Sequence, residues 1–303
     1  MEDINDLKSK IGSNKLYVIG HKVTDVDSYI SMELLSKLLL NFGIIAIPTL
    51  QIDYDKIDNY TKMVVEKYSN IKITKQNIVE SDFIFLVDHN NLFESVKDIK
   101  KYKIVGVIDH HVDEELNVDF KIIKSCGSTT VLIYQLYKKL GVNMDNADKL
   151  KVLISLLIDT SFLMSDKAKD EDKKLALELS KELNCNIKEL KKEYLLQTNL
   201  DVPVKDIAIN GLKELQINNI IVGCSYIEHL ENSESVLSKI ENVKAFLKET
   251  NYELFILITK DFTNGTTEVF SFGKLKDKIP YTKYNHIASR ATTVVPMLRS
   301  CLK

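Results

Sequence analysis

The sequence predicts an α/β fold: an N-terminal domain on a mostly parallel sheet with helices on both faces, then a smaller α/β domain with a mixed sheet. Three observations carry this. Apolar runs rich in β-branched and aromatic residues alternate with segments of helical spacing, the pattern of strands joined through crossover helices. At 303 residues with 45% apolar content, the chain has material for two cores of ordinary size. Late in the chain, Asn264-Gly265 sits between two apolar runs, a hairpin signal that brings antiparallel pairing into the second sheet.

In order, Leu16 to Gly20 reads as the first strand and Ser28 to Phe42 as a helix with apolar Ile30, Met32, Leu34, Leu35, Leu38 and Leu39, stopped by Gly43. Ile44 to Ile47 is the next strand, Asp55 to Lys67 a helix, Phe83 to Val87 a strand and Leu92 to Tyr102 a short polar helix. Lys103 to Ile108 is a buried strand, and Val131 to Leu140 a strongly apolar helix closed by Gly141. Residues 148–164 are long and apolar enough to be a buried helix rather than a strand, and periodicity alone leaves both open. Helices follow at Asp170 to Leu183 and Ile187 to Leu196. Residues 197–210, with Pro203, break the pattern. The expected division is residues 1–190 as the first domain, 191–210 as linker and 211–303 as the second. The latter holds strands at Asn219 to Ile227, Leu254 to Lys260 and Glu268 to Gly273, and a helix at Val236 to Thr250.

A formal charge of −2 gives no global field to draw in nucleic acid or an anionic membrane, and no basic stripe with interleaved aromatics is present. The four cysteines, Cys126, Cys185, Cys224 and Cys301, are too scattered for a zinc knuckle or a disulfide framework. With no apolar leader and no membrane-length apolar window, the reading is a cytoplasmic protein.

Four apolar runs end abruptly in polar residues of one chemical kind. Leu16 to Gly20 runs into His21, Asp25 and Asp27; Phe83 to Val87 into Asp88-His89-Asn90; Lys103 to Ile108 into Asp109-His110-His111; Val152 to Ile158 into Asp159-Thr160. Alone, each has a plain reading as a cap, a turn or a solvated loop. Together they are harder to dismiss, since four of the six histidines fall just after apolar runs. His21, Asp25, Asp27, Asp88, His110 and Asp159 offer four carboxylates and two imidazoles, a donor set suited to two divalent cations sharing one carboxylate. Zinc usually takes fewer acids, and calcium would not recruit imidazole. Manganese fits, with magnesium or cobalt as alternatives. Two such ions can hold a water as hydroxide between them and neutralise phosphoryl oxygens, so the implied chemistry is hydrolysis at phosphorus. His111, beside His110, is placed to serve a leaving oxygen. Thr129 or Thr130 could support the ligands, and Gly127-Ser128-Thr129-Thr130 before a helix is a weak signal for an anion site.

Gly20-His21-Lys22-Val23-Thr24-Asp25-Val26-Asp27-Ser28, Val87-Asp88-His89-Asn90, Ile108-Asp109-His110-His111, Gly127-Ser128-Thr129-Thr130 and Ile158-Asp159-Thr160 resemble, in order and spacing, the motifs of the DHH phosphoesterase superfamily. Within it the resemblance is to the family II, manganese-dependent inorganic pyrophosphatases, and it reaches the end of the chain. Ser289-Arg290-Ala291-Thr292-Thr293-Val294-Val295-Pro296 is similar to that family's Ser-Arg-Lys-Lys-Gln-Val-Val-Pro segment. The resemblance implies His21 and Asp25 on one metal, Asp27, His110 and Asp159 on the other, and Asp88 bridging. It implies His111 on phosphate, Ser289 and Arg290 among the substrate contacts, domain closure over substrate, and a homodimer.

Val23-Thr24 replaces the family's Asn-Pro, a change outside the ligand set that leaves the metals intact. Two further departures bear on substrate. Ala291 stands where the family has a phosphate-binding lysine, and a second family lysine falls nearest Lys205, with Lys213 as the alternative. Losing one charged hydrogen bond, worth about 1.5–3 kcal/mol, weakens the hold on a small polyanion. The expected function is hydrolysis of inorganic pyrophosphate. The alternatives are polyphosphate, a short or cyclic nucleotide diester, or a non-catalytic sensor of a phosphate ligand.

Overall fold

The computed structural model describes residues 4–95, 98–197, 208, 211–230, 240, 243–244, 247–248 and 250–303. The chain divides into two compact units, Met1–Asp159 with Lys169–Asn184, and Thr160–Ala168 with Cys185–Lys303. Among the described residues, no helix is long and apolar enough to cross a membrane.

The first unit is built on a five-stranded sheet in the order β2-β1-β3-β4-β5, with β1 Leu16–Ile19, β2 Ala46–Thr49, β3 Phe83–Val87, β4 Lys103–Asp109 and β5 Phe120–Ile123. Every pairing is parallel. β1, β3 and most of β4 are buried, which is why they read as continuous apolar runs instead of alternating ones. Helix α1 spans Ile4–Ile11, α2 Val26–Leu40, α3 Asn59–Tyr68, α4 Thr129–Lys139, α5 Asn146–Asp159 and α6 Asp170–Glu182. Helix α2 packs against β1, β2 and β3 and against α4 and α5. Another sheet surface, formed by Tyr17, Ile19, Ile84, Leu86 and Val107, is packed by residues from short turns and loops, including Leu92, Ile99, Tyr102 and Leu116.

The strand order reverses between β1 and β3, so chain connections diverge there and leave a crevice at the strands' carboxyl ends. Two of the four polar endings, after Ile19 and after Val87, flank that point, and the third follows neighbouring β4. Gly20 makes the close approach possible: a Cβ there would stand 1.8 Å from Ser28 Oγ at the start of α2.

The segment before Asp159, which periodicity leaves open, is the helix, because it packs against α2 and α4 instead of joining the sheet. Other elements differ from the sequence reading. Residues 92–102 form two short 3-10 turns, Leu92–Glu94 and Ile99–Lys101, too polar to bury a helical face. The region expected to be a helix from Asp55 splits into a 3-10 turn, Tyr54–Lys56, and α3, whose cap is Asp58 accepting from Thr61 N at 2.9 Å. The sequence reading has neither α1, although Ile4, Leu7 and Ile11 are helically spaced, nor the edge strand β5.

The second unit contains α7 Ile187–Gln197 and a five-stranded sheet in the order β10-β9-β8-β7-β6. Its strands are β6 Lys213–Ile217, β7 Ile220–His229, β8 Leu254–Asp261, β9 Thr266–Phe272 and β10 Thr282–Tyr284. The sheet is mixed: β7 and β8 are parallel and the remaining pairs antiparallel. The Asn264-Gly265 turn joins β8 to β9, with Gly265 at φ +66. Helix α8, Val295–Cys301, follows a π-helical turn at Arg290–Val294. Lys205 and most of the expected helix from Val236 lie outside the described residues.

Between α2 and α5 the first unit buries charge. Lys151, 1% exposed, lies 2.5 Å from Glu33 Oε1 and 2.9 Å from Asp148 Oδ1. Removing the cation leaves two carboxylates buried together, so Lys151→Met is expected to cost about 3–5 kcal/mol in urea unfolding. Lys37→Met, at an ammonium on the solvent side of Asp148, is expected to cost about 1 kcal/mol or less. Equal effects of the two changes would contradict this account.

Candidate metal centre

The four endings converge. His21, Asp25 and Asp88 place one ligand atom each within 4.8 Å of one another, and so do Asp27, His110 and Asp159. A third set, Asp88, Asp109, His110 and His111, overlaps both. Asp88 links them: its Oδ2 lies 3.2 Å from His21 Nε2 and its Oδ1 3.4 Å from His110 Nε2. Its backbone, at φ +59, is left-handed, a conformation in which Asp is enriched and which turns the chain sharply off the end of β3.

Each carboxylate has its own support. Asp25 caps α2 through Ser28 N at 3.0 Å and keeps its other oxygen 3.3 Å from His21 Nε2. Asp27 accepts from Thr129 N at 2.7 Å, Thr130 N at 3.1 Å and Ser155 Oγ at 2.6 Å. The Gly127-Ser128-Thr129-Thr130 segment is therefore an anion site at a helix N-terminus, and the anion it binds is the carboxylate of Asp27. Thr129 Oγ1 also donates to Asp88 Oδ1 at 3.0 Å. Asp159, at the end of α5 and only partly buried, faces His110 Nε2 at 3.4 Å.

These neighbours split the acids. Burial raises the Asp27 pKa well above the ordinary carboxylate range, and the charges of Asp88 and Asp159 push the same way. Burial acts likewise on Asp88, but bonds from His110 and His21 and the charges of the imidazoles outweigh it and hold its pKa well below that range. A pair of buried carboxylates with pKa values driven apart is a functional signature.

Three histidines are fixed in tautomer or orientation. His110 Nδ1 lies 3.0 Å from the Cys126 carbonyl, which only accepts, so Nδ1 carries the hydrogen and Nε2 faces Asp27, Asp88 and Asp159 at 3.9, 3.4 and 3.4 Å. Protonated, Nε2 donates toward Asp88; deprotonated, it aims a lone pair at three carboxylate oxygens, which is repulsive unless a cation lies among them, and this donor set fits divalent metal. His111 Nδ1 bonds Asp109 Oδ1 at 2.8 Å, and His111 N donates to the same oxygen at 3.1 Å. The other Asp109 oxygen takes Asn90 Nδ2 at 2.5 Å. Burial opposes ionisation of Asp109, yet the bond and charge of His111 bring its pKa down to about 2.

Asp109, Asn90 and Ser155 are supporting residues that the sequence reading left out of the site. Ser155 had a signal once α5 is helical, since it lies four residues before Asp159 and shares its face. Asn90 had none. His89, one of the four histidines at apolar endings, is no part of the ligand sets: its Nδ1 meets the Val87 carbonyl at 2.9 Å and its Nε2 the Ser95 hydroxyl at 2.6 Å.

In the second unit, Arg290 donates through one terminal nitrogen to the carbonyls of Gly211 and Cys224 and stacks 5.5 Å from the Tyr226 ring centroid. Ser289 caps the π-helical turn, accepting from Thr292 N at 3.3 Å, while its own amide donates to Asp166 Oδ1 at 2.9 Å. Thr292 and Thr293, where the resembled family has Lys and Gln, donate to the same Asp166.

Residues 15–158 match the family model described as "DHH family, N-terminal domain". Among curated relatives, a protein of Streptococcus equi subsp. zooepidemicus named "Probable manganese-dependent inorganic pyrophosphatase" is 24% identical over 318 residues, covering 94% of this chain and 98% of its own. A protein of the same name from Streptococcus pyogenes serotype M49 is 27% identical over 238 residues, 72% of this chain and 76% of its own. In fold, the chain is similar to a Methanococcus jannaschii protein provisionally named a family II inorganic pyrophosphatase, with a TM-score of 0.79 at 24% identity over 94% of this chain and 99% of that one. It is more distantly similar to an exopolyphosphatase-related protein from Bacteroides fragilis, with a TM-score of 0.53 at 14% identity over 90% and 84%.

His89 yields a prediction for the metal-free chain. Burial, with the neighbouring His21 charge, lowers its pKa to about 4, so the folded protein binds fewer protons there than the unfolded chain, whose imidazole titrates near 6.5. The stability tied to neutral His89 is complete above about pH 6.5 and is lost as pH falls toward 4, an effect of about 3 kcal/mol. The difference in unfolding free energy between wild type and His89→Gln is expected to shrink by about that amount from pH 7 to pH 4. A difference independent of pH would contradict it.

Proposed function

We propose that the chain is a metal-dependent phosphoanhydride hydrolase that splits inorganic pyrophosphate into two phosphates with two manganese ions. The observation that carries this reading is Asp88, whose two oxygens face His21 and His110 separately, with a further acid beside each imidazole. The names of the curated relatives support the substrate and the metal.

His21 and Asp25 would hold one ion, Asp27, His110 and Asp159 the other, and Asp88 both. Bound there, such ions supply Lewis-acid activation of water and neutralise phosphoryl charge. The chain's residues do the rest. Thr129, Thr130 and Ser155 hold Asp27 in one orientation, and the Cys126 carbonyl keeps His110 Nε2 turned inward. His111 stands on ionised Asp109 with Nδ1 committed, leaving Nε2 to carry a proton. As water attacks one phosphorus and the bridging P–O bond breaks, that proton passes to the departing phosphate oxygen. The Asp109 carboxylate stabilises the imidazolium before transfer and holds the neutral ring in place after it.

Arg290 and Ser289 are the proposed substrate contacts of the second unit, with Lys205 a third. One terminal nitrogen of Arg290 is spent on carbonyls, which leaves donors on the others for an anion. The reading includes residues 1–190 as the metal-binding domain, 211–303 as the substrate-binding one, a homodimer and a cytoplasmic location. Ala291 favours a second reading, polyphosphate or a short nucleotide diester, since one less cation suits a terminus of lower charge.

With manganese, pyrophosphate is expected to be hydrolysed faster than tripolyphosphate, long-chain polyphosphate and dinucleotides. Asp88→Ala and His110→Ala should abolish turnover, and His111→Gln should lower kcat by about 10²–10⁴-fold with little change in KM. A preference for the longer or diester substrates replaces the first reading by the second. No phosphate release from any substrate overturns both.

A further inference from the structure

Helix α5 ends at Asp159 without a glycine or proline. Ser161, Phe162 and Leu163 follow with φ of +50, +55 and +64. Left-handed residues other than Gly occur singly, mostly as Asn or Asp, and three in succession make a turn that the local chain resists. Such a conformation persists only where its surroundings over-determine it, and it is often found beside functional residues.

The anchors are specific. Within the turn, Leu163 N donates to Thr160 Oγ1 at 3.2 Å, Met164 N to Ser161 O at 3.1 Å and Ser165 N to Thr160 O at 3.1 Å. Ser161 Oγ closes a triangle with the second unit's sheet: it lies 2.9 Å from Lys260 Nζ and 3.2 Å from Glu228 Oε1, which are themselves 2.9 Å apart. All three residues are at most 8% exposed. Glu228 and Lys260 stand opposite each other on parallel β7 and β8. The second Glu228 oxygen takes Tyr194 Oη at 3.2 Å, and the Phe162 ring packs 4.9 Å from that of Tyr194 and 6.4 Å from that of Phe262.

A buried ion pair is weak evidence for stability, because desolvation offsets much of its attraction. This pair spends a donor and an acceptor on one serine two residues beyond Asp159. We propose that Lys260 and Glu228, acting through Ser161, are positioning residues for Asp159: they lock the left-handed turn, and the turn restricts the last residue of α5 to one ligand geometry. The inference rests on the two-metal reading and adds to it residues that touch neither metal nor substrate. Supporting partners of this kind typically change metal affinity by about 10–100-fold.

The test is a manganese titration of the full chain, following free ion by its paramagnetic resonance signal, in wild type, Ser161→Ala and the double variant Lys260→Met with Glu228→Gln. The double variant removes both charges together and so leaves no buried carboxylate without its cation. Two tight ions per wild-type chain are expected. In both variants one ion should bind as before and the other about 10–100-fold more weakly, with the thermal midpoint of the metal-free chain little changed. Variants that bind both ions like wild type, or that lose both in step with a lower midpoint, overturn the positioning role alone. A wild-type chain that binds fewer than two tight ions overturns the two-metal reading, and the positioning role with it.

Discussion

Asp27, Asp88 and Asp159 are negative groups brought close enough to repel one another, two of them buried. That repulsion is the constraint around which the first unit is built. Like charges in a region of low dielectric do not all ionise without compensation. The fold answers with imidazoles toward Asp88, with the N-terminus of α4 and a serine hydroxyl toward Asp27, and with partial exposure for Asp159. The result is a set of oxygen donors held apart from their partners by 3.2–3.9 Å on the imidazole side. Ordinary salt bridges would close to shorter distances, whereas a divalent ion occupies such spacing with favourable charge.

Orientation is controlled one layer out. The Cys126 carbonyl fixes which nitrogen of His110 faces the acids, and Asp109 fixes which nitrogen of His111 is committed. Asn90 ties Asp109 to the backbone beyond it, donating to the Val112 carbonyl at 2.9 Å and accepting from Glu114 N. These bonds commit neutral rings to a single tautomer, so both adjacent imidazoles of the Asp109-His110-His111 segment are assigned by partners rather than by each other. That adjacency is the reason one segment can serve two roles: the two rings lie 4.2 Å apart beside Asp88, but only that of His111 is held by Asp109 and is partly exposed.

The candidate site was legible in the sequence because its ligands are attached to the most regular part of the fold. A buried strand announces itself by continuous apolar residues, and the polar residues that interrupt it, His21, Asp88 and His110, are conspicuous there. Legibility fell where the carrier was ambiguous. Asp159 was found, but its carrier could be strand or helix, and only packing against α2 and α4 decided for the helix. With the helix came Ser155: four residues are one turn along a helix, about 6 Å, whereas along a strand they are about 13 Å, too far to share a site. The stretch before α4 gave only a weak signal for an anion site, a helix N-terminus says nothing about which anion fills it, and Asp27 is about a hundred residues distant in sequence. Edge strand β5 escaped because its four residues are too few for a period to show, whereas α1 carries one, in Ile4, Leu7 and Ile11, that went unread.

The same reasoning bears on substrate choice. In the second unit, the residues that replace the resembled family's lysines and glutamine are not simply absent cations. Thr292 and Thr293 turn their hydroxyls to Asp166, which also takes the Ser289 amide. Where the resembled family has lysine and glutamine, this chain therefore has hydroxyls committed to a carboxylate. Arg290 is left as the cation of the segment, its guanidinium stacked on Tyr226 and anchored to two carbonyls. A planar, anchored guanidinium recognises paired oxygens by geometry, where lysines would recognise them by charge. On the proposed reading, a phosphate group bound here would be selected by the direction from which its oxygens arrive as well as by its charge. Discrimination among pyrophosphate, longer chains and diesters would then draw on the fit to Arg290 and not only on a general attraction for polyanions.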